Sequence, residues 1–422
     1  MRVNDRAMNP NSEETYIWIK KLFEETSKLF PDAYFHIGGD EVSSKGWNDA
    51  KMWEWARSQG MGNIPSVQNH FNKKIFPMLT ELGKVPIGWD EIQDGGPPKL
   101  AVIHAWRGTQ ALHKATSGGY QTIFSAAYYL DGMQSSGGHY GGFPGAPNEH
   151  LVIGGEACAW SEFIGQHMLD FIVWPRLAAI AERLWSSEKI NNEREMYRRQ
   201  TIFSQLAHIN KVGHRRKREE QVKRMFDAHV KSFVPPEQQG AAINNLIIFT
   251  SLLSPADRVN KVPTSQLEEL NELLDVVAPE SFEYVAFTLY IETWYLERMS
   301  TATADWWKQK NDPKRDWIHH LLTIWHKTAV DVKTFFQQAE ALKKQAEIVD
   351  AVESICKVGL EMLEAKSADQ LEGWNKELGR WHEWNGIKRW HFVYPIIYNP
   401  MRRLYDALSK ELKENKKEEK KN

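Results

Sequence analysis

Over its first 190 positions the chain of 422 residues alternates short apolar runs with longer amphipathic stretches. Runs such as "AYFHI", "KVPIGW" and "HLVIGG" are bounded by proline, glycine or charged residues, which predicts short buried strands. The stretch "NPNSEETYIWIKKLFEETSKLF" places apolar residues at helical spacing behind Ser12, a residue that can cap a helix. Strands that alternate with helices predict parallel βα units, in a doubly wound sheet or a (β/α) barrel.

Each predicted strand ends in polar or aromatic side chains. A barrel enzyme gathers its chemistry at the carboxyl ends of successive strands, whereas a doubly wound sheet concentrates it at one switch point. The pattern therefore favours a barrel. The clusters are Asp40-Glu41, Trp89-Asp90-Glu91, Trp106-Arg107, Tyr129 with Asp131, and Trp160 with Glu162.

The pattern changes after about residue 190, where long helical periodicities and heavy charge replace the strand signal. We therefore predict two domains, 1–189 with the strands and 190–422 as a mainly helical region. The stretch "SLLSPADRVNKVPTSQ" within the second predicts a loop. The tryptophans of this half are expected to pack between helices, because aromatic residues mostly fill cores.

The amino-acid composition and the net charge exclude only a few classes of function. A net charge of -2, from 53 basic and 55 acidic residues, gives no nucleic-acid footprint. No apolar run has the roughly 20 residues of a membrane span. Only Cys158 and Cys356 occur, and we expect two buried thiols rather than a bridge. The 18 tryptophans are compatible with sugar stacking and with core packing alike.

The Asp40-Glu41 pair, in "FHIGGDEV", allows three interpretations. Acids at a helix start interact with the helix dipole. His36, Asp40 and Glu41 could together bind a metal, although no further histidine accompanies them at a ligand spacing. Two adjacent carboxyl groups can also work as acid and base, since one of them stays protonated to higher pH. Neighbouring side chains diverge, so the two acids are not expected to flank one substrate as acid and nucleophile.

These residues resemble glycoside hydrolase family 20, the β-N-acetylhexosaminidases. "HIGGDEV" is similar to the family's fourth-strand motif, and "IGWDEI", "VIHAWRG", "YYLDG" and "GGEACAWSEFI" resemble its strands five to eight in order. "VWPRLAAIAERLWS" resembles the closing helix. The resemblance implies an α/β fold, a partial (β/α) TIM-type barrel of strands four to eight, followed by the mainly helical region.

The resemblance also implies a reaction. In this family the substrate's own 2-acetamido oxygen attacks the anomeric carbon, so neither an enzyme nucleophile nor a cofactor or metal is needed. Glu41 would be the general acid and then the base, and Asp40 would hold the acetamido N–H. The remaining implied roles are Tyr129 as donor to the acetamido oxygen, Trp89, Trp106 and Trp160 as pocket walls, Asp131 and Glu162 on sugar hydroxyls, and His36 as support for the acids.

Parts of the family pattern have no counterpart. The helix at 12–30 resembles the one after the third strand, so we expect strands one to three, with the hydroxyl-binding arginine, to be missing. The expected partner is a glycan that contains N-acetylhexosamine, with self-association or a missing amino-terminal segment as further possibilities. Three functions stay open: an exo-β-N-acetylhexosaminidase, an incomplete sugar-binding fragment, and a helical interaction module beside an inert barrel remnant.

Overall fold

The computed structural model describes residues 7–43, 47, 50–132, 134–161, 164–255, 273, 276–300, 312–364, 370–382, 393–395 and 397–418. The chain forms two compact units. The first comprises residues 1–129 and 142–158, and the second comprises residues 130–141 and 159–422. The predicted domain boundary at residue 190 stays a prediction.

The first unit contains a five-stranded parallel sheet whose strands neighbour one another in chain order. This sequential order, with helices between the strands, is that of part of a TIM-type barrel, as the sequence predicts. The strands are β1 Tyr34–His36, β2 Val85–Trp89, β3 Val102–Ala105, β4 Thr122–Phe124 and β5 Val152–Gly155, and the helices are α1 Glu13–Leu29, α2 Ala50–Ser58, α3 Ile64–Glu81 and α4 Thr109–Ser117.

Burial varies across this sheet from the centre to its edges. Every residue of β3 is buried, as expected for a parallel strand covered on both faces. The edge strands are more open: Tyr34 on β1 is 47 % exposed and Ile153 on β5 is 44 % exposed. Within the part of the chain that the structure describes, each of these two strands has one neighbour in the sheet, and the barrel segment is open at both edges.

Two helices of the first unit show how local sequence sets their ends. α1 begins after Ser12 as predicted, although the Ser12 side chain makes no capping hydrogen bond. α3 begins earlier than its apolar pattern suggests, because the Asn63 and Ser66 side chains cap each other's backbone N–H groups. α1 buries Tyr16, Ile19 and Phe23 and leaves Trp18 and Leu29 exposed.

The second unit is mainly helical. Its core lies among the helices from α9 onwards, and Trp294, Trp325, Trp374 and Trp381 are buried in it. Trp306, Trp307, Trp384 and Trp390 lie outside the described residues. The helices are α5 Ser136–Tyr140, α6 Leu169–Val173, α7 Arg176–Trp185, α8 Glu193–Ile209, α9 His214–Phe233, α10 Gln239–Ser251, α11 Phe282–Ser300, α12 Pro313–Gln338, α13 Ala346–Leu363, α14 Leu371–Arg380 and α15 Tyr398–Glu418.

The loop predicted around residues 251–266 needs one correction. Its first part forms β6, Leu253–Pro255, which pairs antiparallel with β7, Val393–Pro395. The sequence gives no signal for this small sheet because the two strands are short and far apart in the chain. Among the described residues, no helix is long and apolar enough to cross a bilayer. Neither Cys158 nor Cys356 forms a disulfide, and both are buried, as predicted.

Candidate active site

The turn that follows β1 carries Asp40 and Glu41, and its backbone is left-handed at three positions. Gly38 has φ +75°, Gly39 has φ +96° and Glu41 has φ +49°. Glycine adopts such angles at little steric cost, whereas for glutamate they are uncommon. A non-glycine residue held in this region costs on the order of 1–3 kcal/mol, and such residues cluster at functional sites.

Contacts from two other elements hold this turn. The Gln68 side chain, on α3, donates from Nε2 to the Gly39 carbonyl oxygen at 2.7 Å. A Cβ atom on Gly39 would lie 3.0 Å from Cγ2 of Ile92, so the turn passes close to the segment after β2. Backbone angle thus favours glycine at both Gly38 and Gly39, and the available space favours it at Gly39 as well. Both acidic side chains at the end of the turn are exposed to solvent.

Two acids after β2, to which the sequence assigned no role, organise the neighbouring strand ends. Asp90 is fully buried and accepts from the backbone N–H groups of Trp106, at 2.9 Å, and Arg107, at 3.1 Å. It also forms an ion pair with the Arg107 guanidinium. Asp90 therefore ties the segment after β2 to the end of β3. The segment "GWDEI" shows that two acids follow β2, but it does not show their hydrogen-bond partners, which lie elsewhere in the chain.

Glu91 connects the general-acid candidate to the aromatic row. Its carboxylate accepts from the Trp106 indole N–H at 3.0 Å and lies 3.4 Å from the donating backbone N–H of Glu41. Burial raises the pKa of Glu91, while the hydrogen bond from Trp106 acts in the opposite direction. Glu91 thus fixes the orientation of the Trp106 ring and the backbone at Glu41 together.

Three predicted aromatic residues lie side by side at the ends of β2, β3 and β4. The rings of Trp89 and Trp106 have centroids 6.5 Å apart, and those of Trp106 and Tyr129 are 6.4 Å apart. Trp89 is buried, whereas Trp106 and Tyr129 are half-buried. Tyr129 forms a parallel bridge to Cys158, which continues the strand pairing beyond β4 and β5. The first unit therefore presents one continuous aromatic row at the carboxyl edge of its sheet.

His36, predicted to support the acids, lies at the end of β1 beneath this row. Its Nδ1 accepts from the backbone N–H of Gly38 at 3.0 Å, and its Nε2 lies 3.3 Å from Nδ1 of His104. Burial lowers the pKa of His36, and the charge of Asp40 partly offsets this effect. The sequence did not single out His104, because a lone histidine in a strand is usually a core residue.

The other predicted site residues belong to the second unit. The backbone N–H of Trp160 lies 3.3 Å from the accepting Oδ1 of Asp131, and Trp160 is 40 % exposed. The segment around Asp131 is held by Arg176, a buried residue of α7 that donates to the carbonyl oxygens of Gly132 and Gln134. Glu162 lies outside the described residues. Tyr140, a candidate aromatic of the 133–150 loop, is buried and donates to Glu182.

Among the described residues, one group has the composition of a metal site, and it excludes both acids of the turn. His104, Glu156 and Cys158 each offer a ligand atom, and these atoms lie within 4.8 Å of one another. A catalytic zinc site uses three protein ligands of this kind. His36, Asp40 and Glu41, which the sequence left open as an alternative metal site, do not form such a group.

Comparisons with known proteins agree with the resemblance of the motifs. Residues 1–188 match the model of "Glycosyl hydrolase family 20, catalytic domain". The chain is 31 % identical over 218 residues to beta-hexosaminidase subunit beta of Entamoeba histolytica, covering 45 % of this chain and 39 % of that protein. It is 32 % identical over 211 residues to the human beta-hexosaminidase subunit beta, covering 46 % and 38 % respectively.

Among solved structures, a chitobiase from Flavobacterium johnsoniae superposes with a TM-score of 0.73 over 94 % of this chain and 60 % of its own, at 24 % identity. A likeness at this identity concerns the fold alone. The chain spans about two fifths of the length of the curated relatives it matches, 39 % and 38 % for the two above. Over residues 1–188, the chain is similar to the catalytic domain of glycosyl hydrolase family 20.

Proposed function

We propose that the protein hydrolyses terminal β-linked N-acetylglucosamine or N-acetylgalactosamine, with retention of configuration and assistance from the substrate. The observation that carries this proposal is the strained turn that presents Asp40 and Glu41 beside the aromatic row of Trp89, Trp106 and Tyr129. The match of residues 1–188 to the catalytic-domain model of glycosyl hydrolase family 20 supports the same class of reaction.

In the first step, the substrate's acetamido oxygen attacks the anomeric carbon while Glu41 transfers its proton to the leaving glycosidic oxygen. The bond to the leaving group breaks and an oxazolinium ring forms. Asp40 accepts the acetamido N–H and stabilises the positive charge of that ring electrostatically. In the second step, ionised Glu41 takes a proton from water, the water oxygen attacks the anomeric carbon, and the ring opens.

The aromatic residues hold the acetamido group for this attack. Trp89 and Trp106, with Trp160, wall the acetamido group, and the Tyr129 hydroxyl donates to its oxygen. Holding the nucleophile next to the anomeric carbon replaces an encounter in solution by an intramolecular reaction. Glu91 supports this arrangement because its carboxylate binds the Trp106 indole and the Glu41 backbone. Asp131 and Glu162 bind sugar hydroxyls. His36 supports the turn through the Gly38 N–H.

A second candidate function follows from the open edges of the sheet. β1 and β5 each have a single neighbour, and side chains on both are exposed. An alternative is therefore a barrel segment that binds sugar, or becomes active, only with a further polypeptide segment that contributes strands. The helical interaction module of the sequence analysis has no such observation in its favour.

The test compares Glu41→Gln with the unchanged protein on two classes of β-N-acetylglucosaminide. Loss of the proton donor should lower kcat/KM on substrates with basic leaving groups by roughly 10²–10⁴-fold, and far less on activated aryl glycosides. The exposed Glu14→Gln variant, on α1, is the matched control. An equal loss on both substrate classes would argue against Glu41 as the acid, and an inactive parent protein would favour the second candidate.

A further inference from the structure

Two histidines meet edge to face near the acid-bearing turn, one on β1 and one on β3. The His36 and His104 rings have centroids 5.4 Å apart, and Nε2 of His36 lies 3.3 Å from Nδ1 of His104. The Trp89 ring covers both, with centroid distances of 4.9 Å to His36 and 4.2 Å to His104. His104 is fully buried. Both histidine rings therefore contact Trp89, next to the start of the turn.

The backbone determines which nitrogen of each ring carries the proton. The Gly38 N–H can only donate, so the Nδ1 of His36, 3.0 Å away, is an acceptor. Burial lowers the pKa of His36, so this ring is neutral and its single proton is on Nε2. That proton is donated to Nδ1 of His104. Because Nδ1 of His104 accepts this proton, the single proton of the neutral His104 ring is on Nε2.

We infer that His104 is a positioning residue for the turn that carries Asp40 and Glu41. By accepting from His36 it fixes the ring whose Nδ1 receives the Gly38 N–H, the first left-handed position of that turn. The same ring supports Trp89 from below. The hydrogen bonds from Gly38 to His36 and from His36 to His104 are here called the relay. The expected effect of the relay on kcat rests on the proposed function, whereas the relay itself does not.

A metal ion at the nearby group is the main rival, and the relay argues against it. His104 Nε2 has no hydrogen-bond partner among the described residues, and His104 belongs to the group with Glu156 and Cys158. To bind a metal, Nε2 must offer a lone pair, which moves the His104 proton to Nδ1. His36 would then carry its proton on Nδ1, opposite the Gly38 N–H, and two donors would face each other at 3.0 Å.

The kinetic test uses two substitutions of similar shape. In His104→Asn the amide oxygen can take the place of Nδ1 and accept from His36, whereas His104→Leu offers no acceptor. Losing one such hydrogen bond corresponds to about tenfold, so His104→Leu should lower kcat about tenfold with KM within about twofold. His104→Asn should keep most of kcat. Equal losses in the two variants would overturn the positioning role.

Two further measurements do not depend on activity. In ¹⁵N-labelled protein at pH 7, both histidines should show the pattern of an Nε2–H tautomer. Exchange of the Gly38 amide with deuterium should be protected in the parent and in His104→Asn, and at least tenfold faster in His104→Leu. An Nδ1–H tautomer at His104, or one Zn²⁺ bound per chain and lost in His104→Leu, would overturn the inference. The parent protein could be inactive and still show the expected histidine tautomers and the expected protection of the Gly38 amide. In that case the proposed function is wrong and the relay is supported.

Discussion

At the residue scale, the candidate site depends on carboxyl groups whose surroundings differ sharply. Asp90 is buried and receives two backbone N–H groups, Glu91 is partly buried beside the Trp106 indole, and Asp40 and Glu41 are exposed. Buried carboxyl groups with several donors are fixed in place, whereas exposed ones can contact a ligand. In the proposed mechanism, the exposed pair therefore contacts the substrate, and the two more buried carboxyl groups hold the surrounding segments in place.

Asp40→Asn tests the electrostatic half of the proposed mechanism. Removing the charge should lower kcat by on the order of 100-fold or more, the scale of losing one preorganised partner of a developing charge. A thiazoline mimic of the cyclic intermediate should also bind more weakly, as measured by its inhibition constant. Inhibition that is unchanged in the variant would remove Asp40 from the acetamido pocket.

We expect Glu280, in the second unit, to make the stability of the protein depend on pH. It is buried, and both Ser136 Oγ and Tyr197 OH donate to its carboxyl group. Burial raises its pKa above the ordinary value of 4.5. Folding thus favours the protonated form, and the free energy of unfolding should fall as pH rises from about 4.5 through the raised pKa.

Glu280→Gln should therefore flatten this fall. Melting temperatures at pH 5, 6, 7 and 8 give the comparison, with the exposed Glu237→Gln as a control that removes the same charge. If the parent and Glu280→Gln show the same slope of melting temperature against pH, then Glu280 does not cause the dependence.

At the element scale, the sequence predicts the sheet well. All five strands occur where the sequence has short apolar runs. The central strand β3 fits this pattern best, because a strand buried on both faces reads as a continuous apolar run. The partners of Asp90, Glu91 and His104 could not be predicted, because each lies on another strand or turn and depends on register. The pair β6 and β7 was missed for the same reason.

Gly39→Ala tests how strictly the turn after β1 is specified. Alanine at φ +96° is strained, and its Cβ would lie 3.0 Å from Ile92. Gly83→Ala is the matched control, since Gly83 has φ +73° and nothing within 4 Å of an added Cβ. The left-handed angle alone should cost about 1–2 kcal/mol in both.

The additional contact should make Gly39→Ala the less stable variant in urea unfolding. Only Gly39→Ala should lower kcat, since Gly83 lies between α3 and β2, away from the acids. Equal stability and equal kcat in the two variants would mean that the turn tolerates a side chain.

At the scale of the whole molecule, the open sheet is the dominant feature of the first unit. Unpaired N–H and C=O groups on an edge strand readily pair with another chain. We therefore expect the protein to self-associate with rising concentration in light scattering, and to become monomeric and more active when a segment that supplies neighbouring strands is added. A fully active monomer without such a segment would contradict this expectation.

Two lysine substitutions distinguish strand pairing at the sheet edge from non-specific hydrophobic association. Ile153 on β5 is 44 % exposed, and Ile190, outside every strand, is 48 % exposed. Ile153→Lys places a charge on the edge and should reduce association, because charged edges oppose strand pairing. Ile190→Lys should leave association unchanged. The same effect from both variants would point to hydrophobic contact in general instead.

The two cysteines can report on the opening of the two compact units, because each unit contains one of them. Cys158 belongs to the first compact unit and Cys356 to the second, and both thiols are buried. Burial also raises the pKa of Cys356, which makes its thiolate scarce while the unit is closed. A maleimide added to the native protein reaches each sulfur only when the surrounding unit opens. Each unit thus contains one cysteine whose rate of labelling reports how often that unit opens. The two rates can be measured separately, and no engineered probe is needed.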